Sequence, residues 1–510
     1  MSMPSRRKTL VQIERDFKDR SLKQTLSATQ LTLLGVGSTV GAGIYVMTGM
    51  AASQYAGPAV LISFIIAAVA CLFTALCYGE LAASMPVSGS AYSYAYVSMG
   101  ERAAWVTGWL LLLEYGISCI AVASGLSGYA SSLAGAFHIH VPAWFYTSTL
   151  ITNVTAEATR IGFDWRINGV GALAVCLITF FLVIGVQETA RLNAIVVCIK
   201  VGVLLLFIGF GVFAISPHNW VPFMPHNEGG FRYGWGGVFR AASVIFFAYV
   251  GFEAVSTAAT EARNPRRDVP IGIIGSLAIC TIIYLGVAVV LLGIVPYRQL
   301  DVADPLAIAV SKMHAPFLTL CVNIGATVGL CSVLLGLLYG QSRILYAMSR
   351  DGLISPLFSH VHPRFRTPWT GTIILGICVA VGTATLPIDV ISEIVSIGTA
   401  LAFAMVCFTV IWQRNHAPDA PRPFEVPLGG VVIRGYWLGV TPMLGIALSG
   451  VMMIPLVVDV GRDALVGNPL PVILLFAYAM LGALIYMVYS RQHSRFHPTT
   501  VNAEVDGNEA

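Results

Sequence analysis

Runs of apolar residues recur along the chain, separated by short polar stretches rich in Arg, Pro and Gly. A helix rises 1.5 Å per residue, so a run of about twenty residues reaches across the ~30 Å hydrocarbon core of a bilayer. The pattern predicts twelve such segments, at about 29–51, 57–83, 101–134, 168–187, 191–215, 239–260, 270–294, 316–346, 370–388, 391–412, 436–457 and 470–490. They are numbered 1 to 12 below. Segments 3 and 8 are longer than a straight crossing needs, which predicts strong tilt. The stretch 139–154 carries proline and many hydroxyl residues. It is predicted to be an outer loop or a surface helix, because counting it as a crossing would invert every later loop.

Composition agrees. Of 510 residues, 56% are hydrophobic and 11% are charged, against about 25% charged in soluble domains. A surface so poor in charge is suited to lipid. The 29 Lys and Arg residues test the topology. With the N-terminus inside, twenty-one fall on the cytoplasmic side, among them Arg6, Arg7, Lys8, Arg266, Arg267 and Arg350. Seven fall outside, Arg240 among them, and Lys200 stands alone within a segment. That bias predicts both termini cytoplasmic. The basic residues form no stripe suited to nucleic acid. The ten cysteines lie in apolar stretches without a Cys-x-x-Cys pair, so no disulfide framework, metal site or cofactor is expected. The sequon Asn153-Val-Thr155 falls in an outer loop.

Two segments carry helix-breaking features. Segment 1 contains GVGSTVGAGIYV, with Gly35, Gly37, Gly41 and Gly43 interrupting an apolar helix. Interior glycines each cost about 1 kcal/mol relative to alanine. Unwinding over 39–42 would free N–H groups at the start of a second half-helix, a site for a carboxylate. The alternative is a small-residue helix contact, which Gly37-Ser-Thr-Val-Gly41 also fits. Segment 6 contains FFAYVGFEAVSTAATEARNPRRDVP, where Gly251 sits beside aromatics and Glu253 lies within the apolar run. Breaks in the first segment of each five-segment half are the mark of an inverted-repeat transporter.

These segments, with GQSRILYAMSRDGL at 340–353 and RPFEVP at 422–427, resemble the amino acid–polyamine–organocation superfamily. The similarity runs from about residue 25 to 490, and is closest to cationic amino acid transporters and their bacterial relatives. The resemblance implies an all-α polytopic membrane protein of twelve helices with a five-plus-five inverted repeat. The parts would be a cytoplasmic segment 1–28, repeats 29–215 and 239–412, two added helices in 436–490 and a tail 491–510. It also implies a midplane site. The substrate carboxylate would take N–H groups of Gly41, Ala42 and Gly43. Its ammonium would take carbonyls of Thr39, Phe247 and Val250, with Ala248 between them and Phe247 as an aromatic lid. Some relatives have serine where Ala42 stands here, so one side-chain donor is absent. Segments 3 and 8 would supply the side-chain pocket, with Ser118, Cys119 and Ala123 as candidates in segment 3.

Charges inside the apolar segments are costly and mark function by default. Desolvation disfavours a charged amine, so Lys200 can exchange a proton. By resemblance it takes the place of a coupling ion between segments 1 and 8; the alternative is a permanent strut. Glu114 either lines the pocket or is a buried structural acid. Glu253 is either a gate or proton carrier, or a carboxylate bound to backbone at the break. Glu80 reads as structural. The expected activity is secondary active transport of cationic or small neutral amino acids, with protons as coupling ion. An exchanger or a polyamine transporter with the same site stays open, as does the need for an accessory subunit. A membrane-embedded enzyme is disfavoured, since neither HExxH nor GxSxG occurs and the histidines lie in loops or tails.

Overall fold

The computed structural model describes residues 26–85, 90–154, 159–185, 190–466 and 468–494. The N-terminal basic cluster, Thr155 of the sequon and most of the tail lie outside them. Helix occupies each apolar segment. Nine stretches among the described residues are long and apolar enough to cross a membrane. Gly169–Ile184 and Trp369–Thr385 are shorter apolar helices, and segment 1 opens with the short helix Ala28–Thr39. That helix starts at a capping box. The Ser27 hydroxyl accepts from the Gln30 N–H, and the Gln30 side chain accepts from the Ser27 N–H at 2.9 Å. Segment 4 starts on Asn168, whose side chain accepts from the Gly171 N–H at 3.0 Å, and ends at Gly185 with φ +91°. Segment 7 begins earlier than its apolar run, at Pro265, because proline fits a first turn without losing a hydrogen bond.

The expectation of an all-α fold needs one correction, since two antiparallel hairpins are present. Residues Leu150–Val154 pair with Thr159–Phe163, in place of the predicted loop or surface helix. Residues Gly430–Ile433 pair with Tyr436–Gly439. Arg434 and Gly435 join the second pair with φ +52° and +83°, as a two-residue hairpin turn of the right twist requires. Segment 11 therefore begins at Val440 rather than 436. A second correction concerns Arg240, counted above as an outer loop charge. It lies within the helix Gly234–Phe246 and is fully buried.

Segment 8 packs along segment 3, segment 7 along segment 2, and segment 9 along segment 4. The outer surface is apolar: Phe180, Leu205, Phe210, Ile282, Phe476 and Leu484 are all exposed. Such a surface belongs in lipid, so the chain is a multi-pass membrane protein. At the end of segment 2, Glu80 is completely buried and forms a bidentate pair with Arg414, at 2.7 and 2.6 Å. Glu80 also accepts from the Val426 N–H at 2.7 Å. Arg414 lies over the Trp437 ring, 4.2 Å from its centroid. Glu80 thus anchors the end of segment 10 and the RPFEVP stretch. Removing one partner of a buried pair leaves a charge uncompensated and costs about 3 kcal/mol or more. Glu80→Ala is expected to lower the unfolding temperature of the purified protein by several degrees. An unchanged transition would show that the pair contributes nothing.

Candidate functional site

The helix of segment 1 ends at Thr39, where Val40 turns to extended backbone with ψ 92°. It restarts at Gly43 in π-helical turns, Gly43–Met47. The last backbone donor of the first half is Val40, to the Val36 carbonyl at 3.0 Å. The first of the second half is Ile44, to the Gly41 carbonyl at 3.2 Å. Between them, the N–H groups of Gly41, Ala42 and Gly43 donate to no backbone carbonyl among the described residues. All three residues are buried. Buried backbone donors nearly always have partners, so three adjacent ones at a helix start point to an anionic ligand.

The helix break and the close helix contacts that the four glycines predicted are both present. A Cβ at Gly35 would meet Ser276 of segment 7, and one at Gly37 would meet Val197 of segment 5. At Gly41 the neighbour is Val333 of segment 8, and at Gly43 it is Ala248 of segment 6. Four helices therefore approach one broken helix because no side chain stands in the way.

Segment 6 breaks opposite. Its helix ends at Phe246, a tight turn covers Phe247–Tyr249, and Val250 is extended with ψ 133°. Gly251 has φ +122°, a conformation that only glycine adopts readily. A Cβ there would overlap the carbonyl of Ser38 and the amide of Thr39, so the two breaks touch at this glycine as well as at Gly43. The Phe247 carbonyl accepts from the Val250 N–H at 3.0 Å, leaving one of its two lone-pair directions. Phe247 and Ala248 are buried beside Gly43.

One residue escaped the sequence reading. The Tyr284 hydroxyl, on segment 7, lies 2.7 Å from the Thr39 carbonyl and 3.0 Å from the Ala248 carbonyl. Its single proton is shared by carbonyls freed at both breaks. The sequence signal was a lone tyrosine in an apolar run, which resembles an ordinary buried aromatic. Tyr284→Phe leaves both carbonyls without this donor. About 1–2 kcal/mol of stability should be lost, with weaker substrate binding, measurable by thermal unfolding with and without ligand. Unchanged ligand stabilisation would confine the hydroxyl to a structural role.

Lys200 is fully buried on segment 5. Its ammonium donates to the carbonyls of Gly37 and Val40, the latter at 3.2 Å. Segment 8 meets its stem, since a Cβ at Gly329 would lie 3.3 Å from the Lys200 Cβ. The lysine therefore joins segment 1, just before its break, to the face of segment 8.

On segment 3, Glu114 is completely buried and neither carboxylate oxygen has a hydrogen-bond partner among the described residues. The adjacent Tyr115 hydroxyl reaches Glu253 at 3.4 Å. Glu253 also accepts from the Gly251 N–H at 2.7 Å, which is the backbone-bound arrangement considered above. Ser118 is occupied within its own helix, donating to the Glu114 carbonyl at 2.5 Å. Cys119 is buried, and the Ala123 carbonyl backs onto Gly171 of segment 4. The structure thus brings together Thr39, Gly41, Ala42, Gly43, Phe247, Ala248, Val250 and Lys200, with Glu253 at the second break and Glu114 on the neighbouring helix.

Comparison with known proteins identifies the family. The sequence profile described as amino acid permease matches residues 26–488. A methylthioribose transporter of Bacillus subtilis (strain 168) is 39% identical over 494 residues, 97% of this chain and 99% of that protein. The branched-chain amino acid permease BcaP of the same organism is 38% identical over 480 residues, 94% of this chain and 96% of that protein. Mitochondrial cationic amino acid transporter 3 of Arabidopsis thaliana is 36% identical over 410 residues, 80% of this chain and 64% of that protein. With its profile match and its extended identity to permeases, the chain belongs to the amino acid permease family of the amino acid–polyamine–organocation superfamily.

Proposed function

We propose that this chain carries amino acids across a cytoplasmic membrane by alternating access, with both termini in the cytoplasm. The observation that carries this reading is that the buried N–H groups of Gly41, Ala42 and Gly43 donate to no backbone carbonyl among the described residues, with Gly43 against the break of segment 6. An α-carboxylate matches those donors. An α-ammonium matches the carbonyls at Thr39 and around 247–250, in competition with or beside the Tyr284 proton. Freed backbone at membrane depth is tolerated where it lines a binding cavity.

The twelve-crossing, five-plus-five arrangement has a packing argument behind it. The pairs 3 with 8, 2 with 7, and 4 with 9 differ by five, and segments 1 and 6 meet at Gly43 and Ala248. A two-fold axis in the membrane plane would bring the helices that lie near it against their own repeat counterparts in this way. The repeats would be 29–215 and 239–412, with 436–490 appended. Lys200 would couple transport to protons by binding the carbonyls of segment 1 when charged and releasing them when neutral. Among relatives, the names cover methylthioribose, branched-chain and cationic amino acids. Glu114, buried beside the site without a hydrogen-bonded cation, suits a cationic side chain; a small neutral amino acid is the other candidate. The test is uptake by purified protein in liposomes, with labelled arginine, lysine, alanine, leucine, putrescine and methylthioribose, with and without a proton gradient. Arginine or lysine should accumulate with the gradient. Accumulation of methylthioribose alone would overturn the amino acid assignment.

A further inference from the structure

The outer halves of segments 1 and 6 are joined to one another by backbone. The Tyr233 N–H donates to the Tyr55 carbonyl at 2.7 Å, and the Tyr233 hydroxyl donates to the Ser53 carbonyl at 2.7 Å. A Cβ at Gly237 would overlap the Tyr55 carbonyl oxygen. These two half-helices can therefore move only together. Their described side-chain hydrogen bonds to segments 10 and 11 pass through two residues. Arg240 Nε donates to Asp459 at 2.8 Å and Arg240 Nη2 to Glu393 at 2.9 Å. Gln54 Nε2 donates to Asp389 at 3.1 Å, and to Asp301 of the loop after segment 7 at 3.2 Å. The Arg240 guanidinium lies over the Tyr55 ring, 4.6 Å from its centroid, so it touches the outer half of segment 1 as well.

We propose that Arg240 is the pin of an outer latch: its ion pairs with Glu393 and Asp459 hold the joined outer halves of segments 1 and 6 closed against segments 10 and 11. The energetics suit a reversible contact better than a strut. A buried ion pair adds little net stability over apolar packing, because desolvation offsets its attraction. When the halves part, water regains the guanidinium and both carboxylates, so closed and open states stay near balance. The side chain of Arg240 is fully buried, while those of Glu393 and Asp459 are 10% and 22% exposed. Arg240 Nη1 has no described partner. Water arriving at the carboxylate side therefore reaches the acceptors first and loosens the pin. A planar fork that satisfies carboxylates on two helices is a property of arginine and not of lysine.

The inference rests on the alternating-access reading, and the experiment separates the two. Nitroxides are placed at Trp235 and Leu465, both exposed, in a cysteine-free background whose uptake has been verified. Pulsed-EPR distances are then recorded in lipid nanodiscs. The unsubstituted pair should favour the short, closed distance. Arg240→Met should raise the open-to-closed ratio roughly tenfold, a typical coupling magnitude, and Arg240→Lys should fall between. Arg240→Met combined with Glu393→Gln and Asp459→Asn removes all three charges, so it leaves no buried ion unpaired, and should open as far. An unchanged distance distribution in that triple variant, with or without a lower melting temperature, would make Arg240 a strut and overturn the latch. Absence of amino acid uptake by the wild-type protein in liposomes would instead count against the transport reading, whatever the distances show.

Discussion

Gly43→Val is expected to abolish uptake, by roughly a hundredfold or more, in protein that still inserts and purifies. A valine there would fill space proposed for the substrate carboxylate, and the structure adds a second reason. In the folded chain, a Cβ at Gly43 meets the Cα and Cβ of Ala248 on segment 6. The added side chain therefore forces the two breaks apart and displaces the donors and acceptors proposed to face the substrate. Misplacement by about 1 Å in a preorganised site can cost a hundredfold. Gly43→Ala already introduces the clashing atom, so it should fall between wild type and Gly43→Val. Initial rates in liposomes, normalised to reconstituted protein, measure both. Wild-type rates in Gly43→Val would sink the site at the meeting of segments 1 and 6.

The second large effect is expected at Lys200. Its ammonium holds the carbonyls of Gly37 and Val40, immediately before the break of segment 1. If a proton leaving this amine releases those carbonyls, uptake should rise on external acidification and collapse with a protonophore. Sodium should be dispensable if, as the resemblance implies, the ammonium takes a coupling ion's place. Lys200→Ala removes proton and bridge together, so gradient-driven accumulation should vanish even where binding persists. Lys200→Arg keeps a charge that is not released in proteins. It should bind without accumulating, with no response to pH. Sodium-dependent uptake in wild type, or full accumulation by Lys200→Arg, would refute proton exchange at this lysine and leave the family assignment intact.

Much was legible in the chain because membrane helices satisfy their backbone internally. Hydropathy alone therefore located the helical segments; four clustered glycines located the break of segment 1, and the single Gly251 among aromatics that of segment 6. Glu80 read as structural, and its bidentate pair with Arg414 agrees. Contacts between distant segments were not legible. Tyr284 and Arg240 each looked unremarkable in their own surroundings, one an aromatic in an apolar run and the other a charge near a helix end. Their partners lie far away along the chain: Tyr284 with Thr39 and Ala248, Arg240 with Glu393 and Asp459. The two hairpins were missed for a related reason, since a short strand needs a partner strand before its backbone is satisfied. The sequence by itself determined where this chain is helical, where it breaks and which family it resembles, because apolar length and glycine act locally. Only the tertiary structure decided which carbonyls Tyr284 and Lys200 hold and which carboxylates Arg240 holds. Those bonds depend on how helices pack, and no local pattern encodes that.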